Sequence, residues 1–576
     1  MSRSFIESKT YQSIKEDEVR KRDTNAIFIA LRIPLLELCE RLTFHSIASN
    51  LVMFCTNHLK FDSVDAVTIS LIFTGTCYLV PPIAGWIADS YIGQYNALLA
   101  SALLHMLGTF FLPAAAFYYT RLGPYEMPLD GRRAYFLIGI FLVAIATGGV
   151  KANCTPFGAR QVEHVGTHAI QTFFAWYYWC MTIGCIIAYT LMVYIQQEVN
   201  FALGYLIPGL TMMLAITFFI TARKKFIVIP PKGSQIAATC KIIYEALCNK
   251  YKQVPLDLPS FLDYAKIHYG GSRTEQEVED VKMLGGVFPI FLTGMIYWTI
   301  FAQTNSSYLL QAERMNLHLG SFTLPAASLH IFIYGGVILL IPLLDRVIYP
   351  LLDSFWRRPT PLIRMGLGFL FASASAIIAG ILEYHRKIDI KENGATVQVV
   401  GGENFYASQL SVLYQVPQFL LFGMSLVFME VTSLEFAFRE APLSMKAVVT
   451  GIFLITIGLG QYLSSLLLII VNAVTANDPW YPDEINDGYL DYFFYLLAGL
   501  IIVGLIIFTV VARRYEYASD RHNNSVKELD TKESDDESIS SDIGLLQQQT
   551  TTTADERRTL LQRTERYDSP DTCTEF

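Results

Sequence analysis

The sequence is short of charge. Of its 576 residues only 16% are Asp, Glu, Lys or Arg, while 52% are apolar; ordinary soluble domains carry about 25% charge. Mean hydropathy is +0.37. These values exclude the string of water-soluble domains that a chain of this length would otherwise suggest. No CxxC spacing occurs among the nine cysteines, and the single CxxH spacing, Cys55 with His58, has no second ligand pair beside it, which argues against a zinc site or a disulfide framework. Seven of them (Cys39, Cys55, Cys77, Cys154, Cys180, Cys185 and Cys240) fall in apolar or amphipathic stretches and read as buried thiols. No glycine-rich phosphate loop follows a strand pattern, which disfavours an ATP-driven pump. The basic residues form no aromatic-interleaved patch, which disfavours nucleic-acid binding. Residues 1–26 are polar and mixed in charge, unlike a cleavable leader. Neither an enzyme nor a metal or cofactor is expected.

What the sequence has instead is long apolar runs. Runs of about 20 such residues read as membrane helices. Twelve are expected, over 27–56, 64–88, 96–118, 134–158, 170–195, 201–222, 284–308, 322–344, 364–384, 407–434, 447–472 and 489–512. The expected class is an all-α polytopic membrane protein of the major facilitator layout, twelve transmembrane helices in two six-helix bundles. Residues 1–26 form a tail, 27–222 the first bundle, 223–283 a polar central loop, 284–512 the second bundle and 513–576 a polar tail. An even number of spans puts both termini on one side. With that side cytosolic, 32 Lys/Arg lie on it and 8 opposite, as the positive-inside rule requires. In the central loop Ile236, Cys240, Ile243 and Leu247 recur at helical spacing, which predicts an amphipathic helix on the inner membrane face. It would act as a brace against membrane lipid or as a partner site.

A charge in mid-bilayer costs at least about 2.5–3.5 kcal/mol, so those that remain mark function. Span 1 holds Glu37, Glu40 and Arg41 on one helix face. One carboxylate can pair with the guanidinium, leaving the other to titrate, which suits a proton-coupled symporter; a neutralised packing cluster is the alternative. Lys151 in span 4 needs a carboxylate partner, and the span 1 glutamates are the expected one. His45 extends the span 1 face and either joins a proton relay or packs between helices. His330 in span 8 reads as a packed core histidine. Span 10 carries Glu430, then Glu435 and Arg439 four residues apart, which form either a gate between the halves or a surface pair.

Several of these residues lie in ordered motifs. Glu37-Leu38-Cys39-Glu40-Arg41 resembles the ExxER motif of proton-coupled oligopeptide transporters, a branch of the major facilitator superfamily. Gly148-Gly149-Val150-Lys151 is similar to that family's span 4 segment. Lys151-Ala152-Asn153 through Gly158-Ala159, Ser49-Asn50-Leu51-Val52, Tyr297-Trp298-Thr299 and Leu324-Pro325-Ala326-Ala327 resemble the peptide/histidine branch, and Val416-Pro417-Gln418 and Leu434-Glu435-Phe436-Ala437-Phe438 with Ala441-Pro442 resemble the span 10 signature. The resemblance implies alternating-access co-transport of protons with histidine or di- and tripeptides. It places proton coupling at Glu37, Glu40, Arg41 and Lys151, to which the histidine reading adds His45. It places substrate contacts at Arg41, Lys151, Tyr178, Thr182, Trp298 and Gln303. The departures sit at the amino-end clamp: Leu426 where relatives carry Glu, Ile333 where they carry Asn or Asp, and Thr182 where they carry Asn. Glu430, one turn beyond Leu426, is the candidate substitute. His45 stands for a Tyr and Gln94 for a basic residue.

The tail from 513 is polar, low in aromatics and expected to be disordered. It contains Asp542, Leu545 and Leu546 in a DxxLL pattern and Glu556, Leu560 and Leu561 in an ExxxLL pattern. Clathrin adaptor proteins read such motifs, which points to the endolysosomal membrane, with the plasma membrane as the alternative. The leading expectation is therefore a proton-coupled exporter of histidine or small peptides into the cytosol. A transporter-like scaffold recruiting a cytosolic signalling adaptor, or a proton symporter for another solute, is the rival.

Overall fold

The computed structural model describes residues 29–117, 127–231, 233–252, 258, 260–355, 359–400, 403–441 and 445–515. Eleven helices among them are long and apolar enough to cross a membrane. The twelfth is span 1, which contains Glu37, Glu40 and Arg41. It is two helices, Arg32–Ser49 and Leu51–Asn57, broken at Asn50. The break has a local cause. The Asn50 amide donates to Gln196 Oε1 at 2.7 Å and accepts from Gln197 Nε2 at 2.8 Å, and Gln196 Nε2 caps the Ser46 carbonyl at 2.8 Å. Backbone groups freed inside a bilayer need such partners.

Spans 2 to 6 follow as Ser63–Ile87, Gln94–Ala116, Leu129–Val162, Thr167–Ile187 and Phe201–Thr221. Spans 7 to 12 begin with the helices Glu275–Phe301, His330–Leu343, Pro361–Asn393, Val416–Leu426, Lys446–Val474 and Leu490–Arg513. π-helical turns extend span 2 (Ala88–Ile92), span 5 (Ala188–Met192), span 8 (Leu344–Ile348) and span 10 (Val427–Val431). The two six-helix bundles meet along two seams. Span 2 packs on span 11, where Thr76 Oγ1 bonds the Tyr462 hydroxyl at 2.8 Å. Span 5 packs on span 8, where Tyr189 stacks on His330 at 4.8 Å.

On the side where span 1 ends, here the far side, the bundles are latched. Lys60 Nζ meets Glu403 Oε1 at 2.7 Å, and Ser63 N donates to Asp483 Oδ1 at 2.8 Å. The Glu403 end of that latch sits on a hairpin, β1 (Thr396–Val400) with β2 (Glu403–Ala407), which follows a span 9 that runs nine residues past its expected end. The helix between the bundles covers Gln235–Lys252. Its buried line is Thr239, Ile242 and Ala246, turned towards spans 2, 7 and 11. The predicted apolar line faces the other way, with Cys240, Ile243 and Leu247 exposed.

Candidate functional site

Span 1 sets the chemistry. Its i, i+4 spacing brings Arg41 Nε to 3.3 Å from Glu37 Oε1, and the same nitrogen donates to Glu40 Oε2 at 2.5 Å. Arg41 Nη2 also touches Glu40. Burial is nearly complete, with Glu37 2%, Glu40 0% and Arg41 6% exposed. Gly184 lets span 5 close on this cluster, because a Cβ there would stand 2.6 Å from the Leu38 carbonyl. Arg41 thus engages both carboxylates, where the spacing alone suggested one. Glu40 Oε1 still accepts no hydrogen bond. Two carboxylates against one guanidinium leave one negative charge uncovered in a low-dielectric site.

Lys151 does not take that charge. Its Nζ makes no hydrogen bond and lies 3.4 Å from the centre of the Tyr78 ring, with Phe44 at 5.3 Å. The expected pairing with the span 1 glutamates is therefore absent, because Arg41 occupies them, and a cation–π contact holds the lysine instead. An ammonium held this way keeps its hydrogen-bonding capacity for an anionic group.

Glu430 comes from the second bundle, on the π-helical turn of span 10. Lys151 is the cation whose charge reaches it, and Tyr78, Tyr178 and Tyr297 lie within its electrostatic range. Basic and acidic groups from opposite bundles thus address one region. π-turns recur at functional positions of membrane helices.

The other expected contacts divide. Tyr178 is exposed and near Glu430, but the Thr182 hydroxyl is turned onto its own helix, donating to Tyr178 O at 2.8 Å. Trp298 is buried among Tyr297, Phe301 and Phe453. Gln303 is also buried, donating to Ser464 Oγ at 2.6 Å and accepting from Ser307 at 2.6 Å and Ser306 at 3.0 Å. Both belong to the wall of the second bundle, and the Gln303 amide is taken up by its serine partners in this arrangement. Ile333 and Leu426 are buried too, and Gly423 brings span 10 so close to span 8 that a Cβ would lie 2.7 Å from the Ile333 carbonyl.

Of the two readings of Glu435 and Arg439, this arrangement shows the pair on the surface of one half and not a gate between halves. Glu435 pairs with Arg439 at 3.6 Å and with Arg364 at 2.8 Å, and all three belong to the second bundle. Arg364 starts span 9 beside the end of span 10, so the carboxylate finds its partner inside its own half. The bundle contact instead involves His45 and His330. His45 Nδ1 bonds the Tyr189 hydroxyl at 3.2 Å, and Tyr189 stacks on both His330 and Tyr334. His330 is a packed core histidine, as expected, but it packs across the seam. The sorting residues Asp542, Leu545, Leu546, Glu556, Leu560 and Leu561 lie outside the described residues.

Sequence reasoning missed His105 and Tyr78. His105 Nε2 lies 3.8 Å from Glu40 Oε1. Its one signal was a lone imidazole in the apolar run of span 3. Tyr78 had none, since an aromatic in a membrane helix is ordinary.

Comparison with known proteins agrees with this geometry. Residues 95–483 match the family model described as POT family. The chain is 30% identical to rat solute carrier family 15 member 3, over 84% of this chain and 91% of the relative. It is 32% identical to Arabidopsis thaliana protein NRT1/PTR family 8.3, over 83% and 90%. Among solved structures, the POT family transporter PepTSo superposes with a TM-score of 0.69 at 23% identity, covering 84% of this chain and 98% of that one.

Proposed function

The chain belongs to the POT family of proton-dependent oligopeptide transporters, and from that premise we propose that it is a proton-coupled symporter of histidine or small peptides. It is a multi-pass membrane transporter and not an enzyme. One observation carries the proposal: the buried Glu37–Glu40–Arg41 cluster has one negative charge more than its guanidinium balances. A proton is the smallest counter-charge that can enter such a site and leave it again. With the proton loaded, Arg41 is loosened from the carboxylates, and with Lys151 it receives a substrate carboxylate. Glu430 meets the substrate's cationic end from the other bundle. The far side is latched through Lys60, Glu403, Ser63 and Asp483. Alternating access requires that latch to part while the near side closes.

The excess of Lys/Arg on the side of both termini supports a cytosolic placement for them. The dileucine patterns of the tail support an endolysosomal membrane, whose acidic lumen would drive export into the cytosol. A second reading has one specific support. Ile333 and Leu426, where relatives carry polar or acidic groups, are sealed in the span 8–span 10 contact. That favours a transporter-like scaffold for a cytosolic signalling adaptor, or a different solute.

Reconstitution into liposomes with an imposed pH gradient separates these readings. Labelled histidine or a dipeptide should accumulate along the gradient, and Glu40→Gln should abolish that accumulation while the protein remains folded. Full gradient-driven uptake by Glu40→Gln would sink the mechanism. No gradient-dependent signal for histidine, dipeptides or a mixed amino-acid panel would favour the scaffold.

A further inference from the structure

His105 stands in the middle of span 3, fully buried, and neither of its ring nitrogens makes a hydrogen bond. Nε2 faces Glu40 Oε1 across 3.8 Å. That carboxylate oxygen is the one Arg41 leaves without a hydrogen bond. Two unpartnered polar atoms of complementary chemistry therefore face each other inside the bilayer, where leaving either unmet is costly. A proton placed between them answers both. The imidazole N–H then donates to the carboxylate, and the gap closes to hydrogen-bond length with a small side-chain shift.

The surroundings restrict what else could play this part. The charged groups acting on His105 are Glu40 and Arg41, both of span 1. At the next turn of span 3, span 4 presents Gly139, Leu142 and Val143 around Gly108, and span 6 presents Gly209 against Thr109 and Phe110. Ser101, one turn before His105, meets Gly149 of span 4. None of these residues titrates.

We infer that His105 is the proton-sharing partner of Glu40, so that the coupling proton is held between Glu40 Oε1 and His105 Nε2. The inference rests on the proton-coupled reading above and adds a residue to it. With the proton in the gap, the carboxylate's second oxygen is neutralised and its hold on Arg41 weakens. When the proton leaves towards the alkaline side, Glu40 regains its full charge and draws Arg41 back from the substrate. His105 acts through Glu40 and touches no substrate, so it is a positioning and proton-holding residue.

The test uses full-length protein in liposomes, comparing wild type with His105→Gln and His105→Phe. Gradient-free counterflow of labelled substrate reports folding and alternating access; gradient-driven uptake against pH reports coupling. His105→Gln should retain counterflow, lose about tenfold or more of driven uptake, and show a shallower rise with acidification. His105→Phe, which fills the same space, should behave the same way. Wild-type pH profiles in His105→Gln would overturn the inference while leaving the proton-coupled reading intact. A loss of counterflow in His105→Gln that His105→Phe restores, together with the wild-type pH profile, would overturn it as well and assign the residue to packing. A wild type with no gradient dependence would remove the proton-coupled reading, and this inference would fall with it.

Discussion

The buried Glu383–Arg386 pair of the second bundle and the buried Glu37–Glu40–Arg41 cluster of the first are finished differently. In the second bundle Glu383 and Arg386, both 0% exposed, are joined by two bonds: Nη2 to Oε1 at 2.6 Å and Nε to Oε2 at 2.9 Å. Arg386 Nη1 goes on to Asn486 Oδ1 at 2.5 Å, and Glu383 Oε2 also accepts from Gln311 Nε2 at 3.0 Å. This ties span 9 to span 7 and to the loop before span 12. The charges balance and the donors and acceptors are met. In the first bundle Glu37, Glu40 and Arg41 do not balance. Glu40 Oε1, both nitrogens of His105 and Lys151 Nζ make no hydrogen bond. A satisfied network holds one arrangement, whereas an unsatisfied one is ready to change partners. The first property suits a scaffold and the second suits a cycle of loading and release.

The contrast can be broken by experiment. The largest effect is expected at Arg386→Leu, which strands Glu383 without its cation. Breaking one partner of a buried pair costs about 3–5 kcal/mol, so the melting temperature of the detergent-solubilised protein should fall sharply. Glu40→Gln should hardly move that temperature while abolishing driven uptake. The opposite assignment of stability and activity would destroy the comparison.

A smaller effect is expected at Tyr78. Its ring holds the Lys151 ammonium, a contact of about 2 kcal/mol when desolvated. Tyr78→Leu should raise the substrate concentration needed for half-maximal uptake, whereas Tyr78→Phe, which keeps the ring, should stay near wild type. Equal defects in both variants would assign the role to the hydroxyl.

The smallest effect is expected outside the membrane, at Asp263 before span 7. Burial pushes its carboxyl up, but hydrogen bonds from Lys282 and Lys266 outweigh that and hold it below the ordinary 3.8. A carboxyl lowered on folding stabilises above its unfolded value and loses that contribution as pH falls through the folded value. Asp263→Asn should therefore cost about 1 kcal/mol at neutral pH. The difference from wild type should close only below the ordinary carboxylate range, in melting curves recorded against pH.

Much of the site was legible before any coordinates. Helical spacing alone put Glu37, Glu40 and Arg41 on one face, because i, i+3 and i+4 are neighbours on any α-helix. Glu430 was legible as an intramembrane acid. The partner of Lys151 was not, because the competition between Arg41 and Lys151 for two carboxylates depends on how span 4 sits against spans 1 and 2. Glu435 went to Arg364 for a similar reason: the two are 71 positions apart in the chain, and only the packing of span 9 on span 10 joins them. Gln303 resembled a pocket residue, yet Ser306, Ser307 and Ser464 consume its amide.

By itself the sequence determined the class of molecule and the residues able to carry charge through its interior. Apolar run length against bilayer thickness and the cost of burying a charge are local properties, readable along one strand of text. Only the tertiary structure decided which charges are met and which are left wanting. It set Lys151 on Tyr78, closed Glu383 on Arg386 and brought His105 to Glu40. Each of these contacts depends on the approach of a side chain to a neighbour within a few ångströms, and all but the Glu383–Arg386 pair join segments distant in the chain.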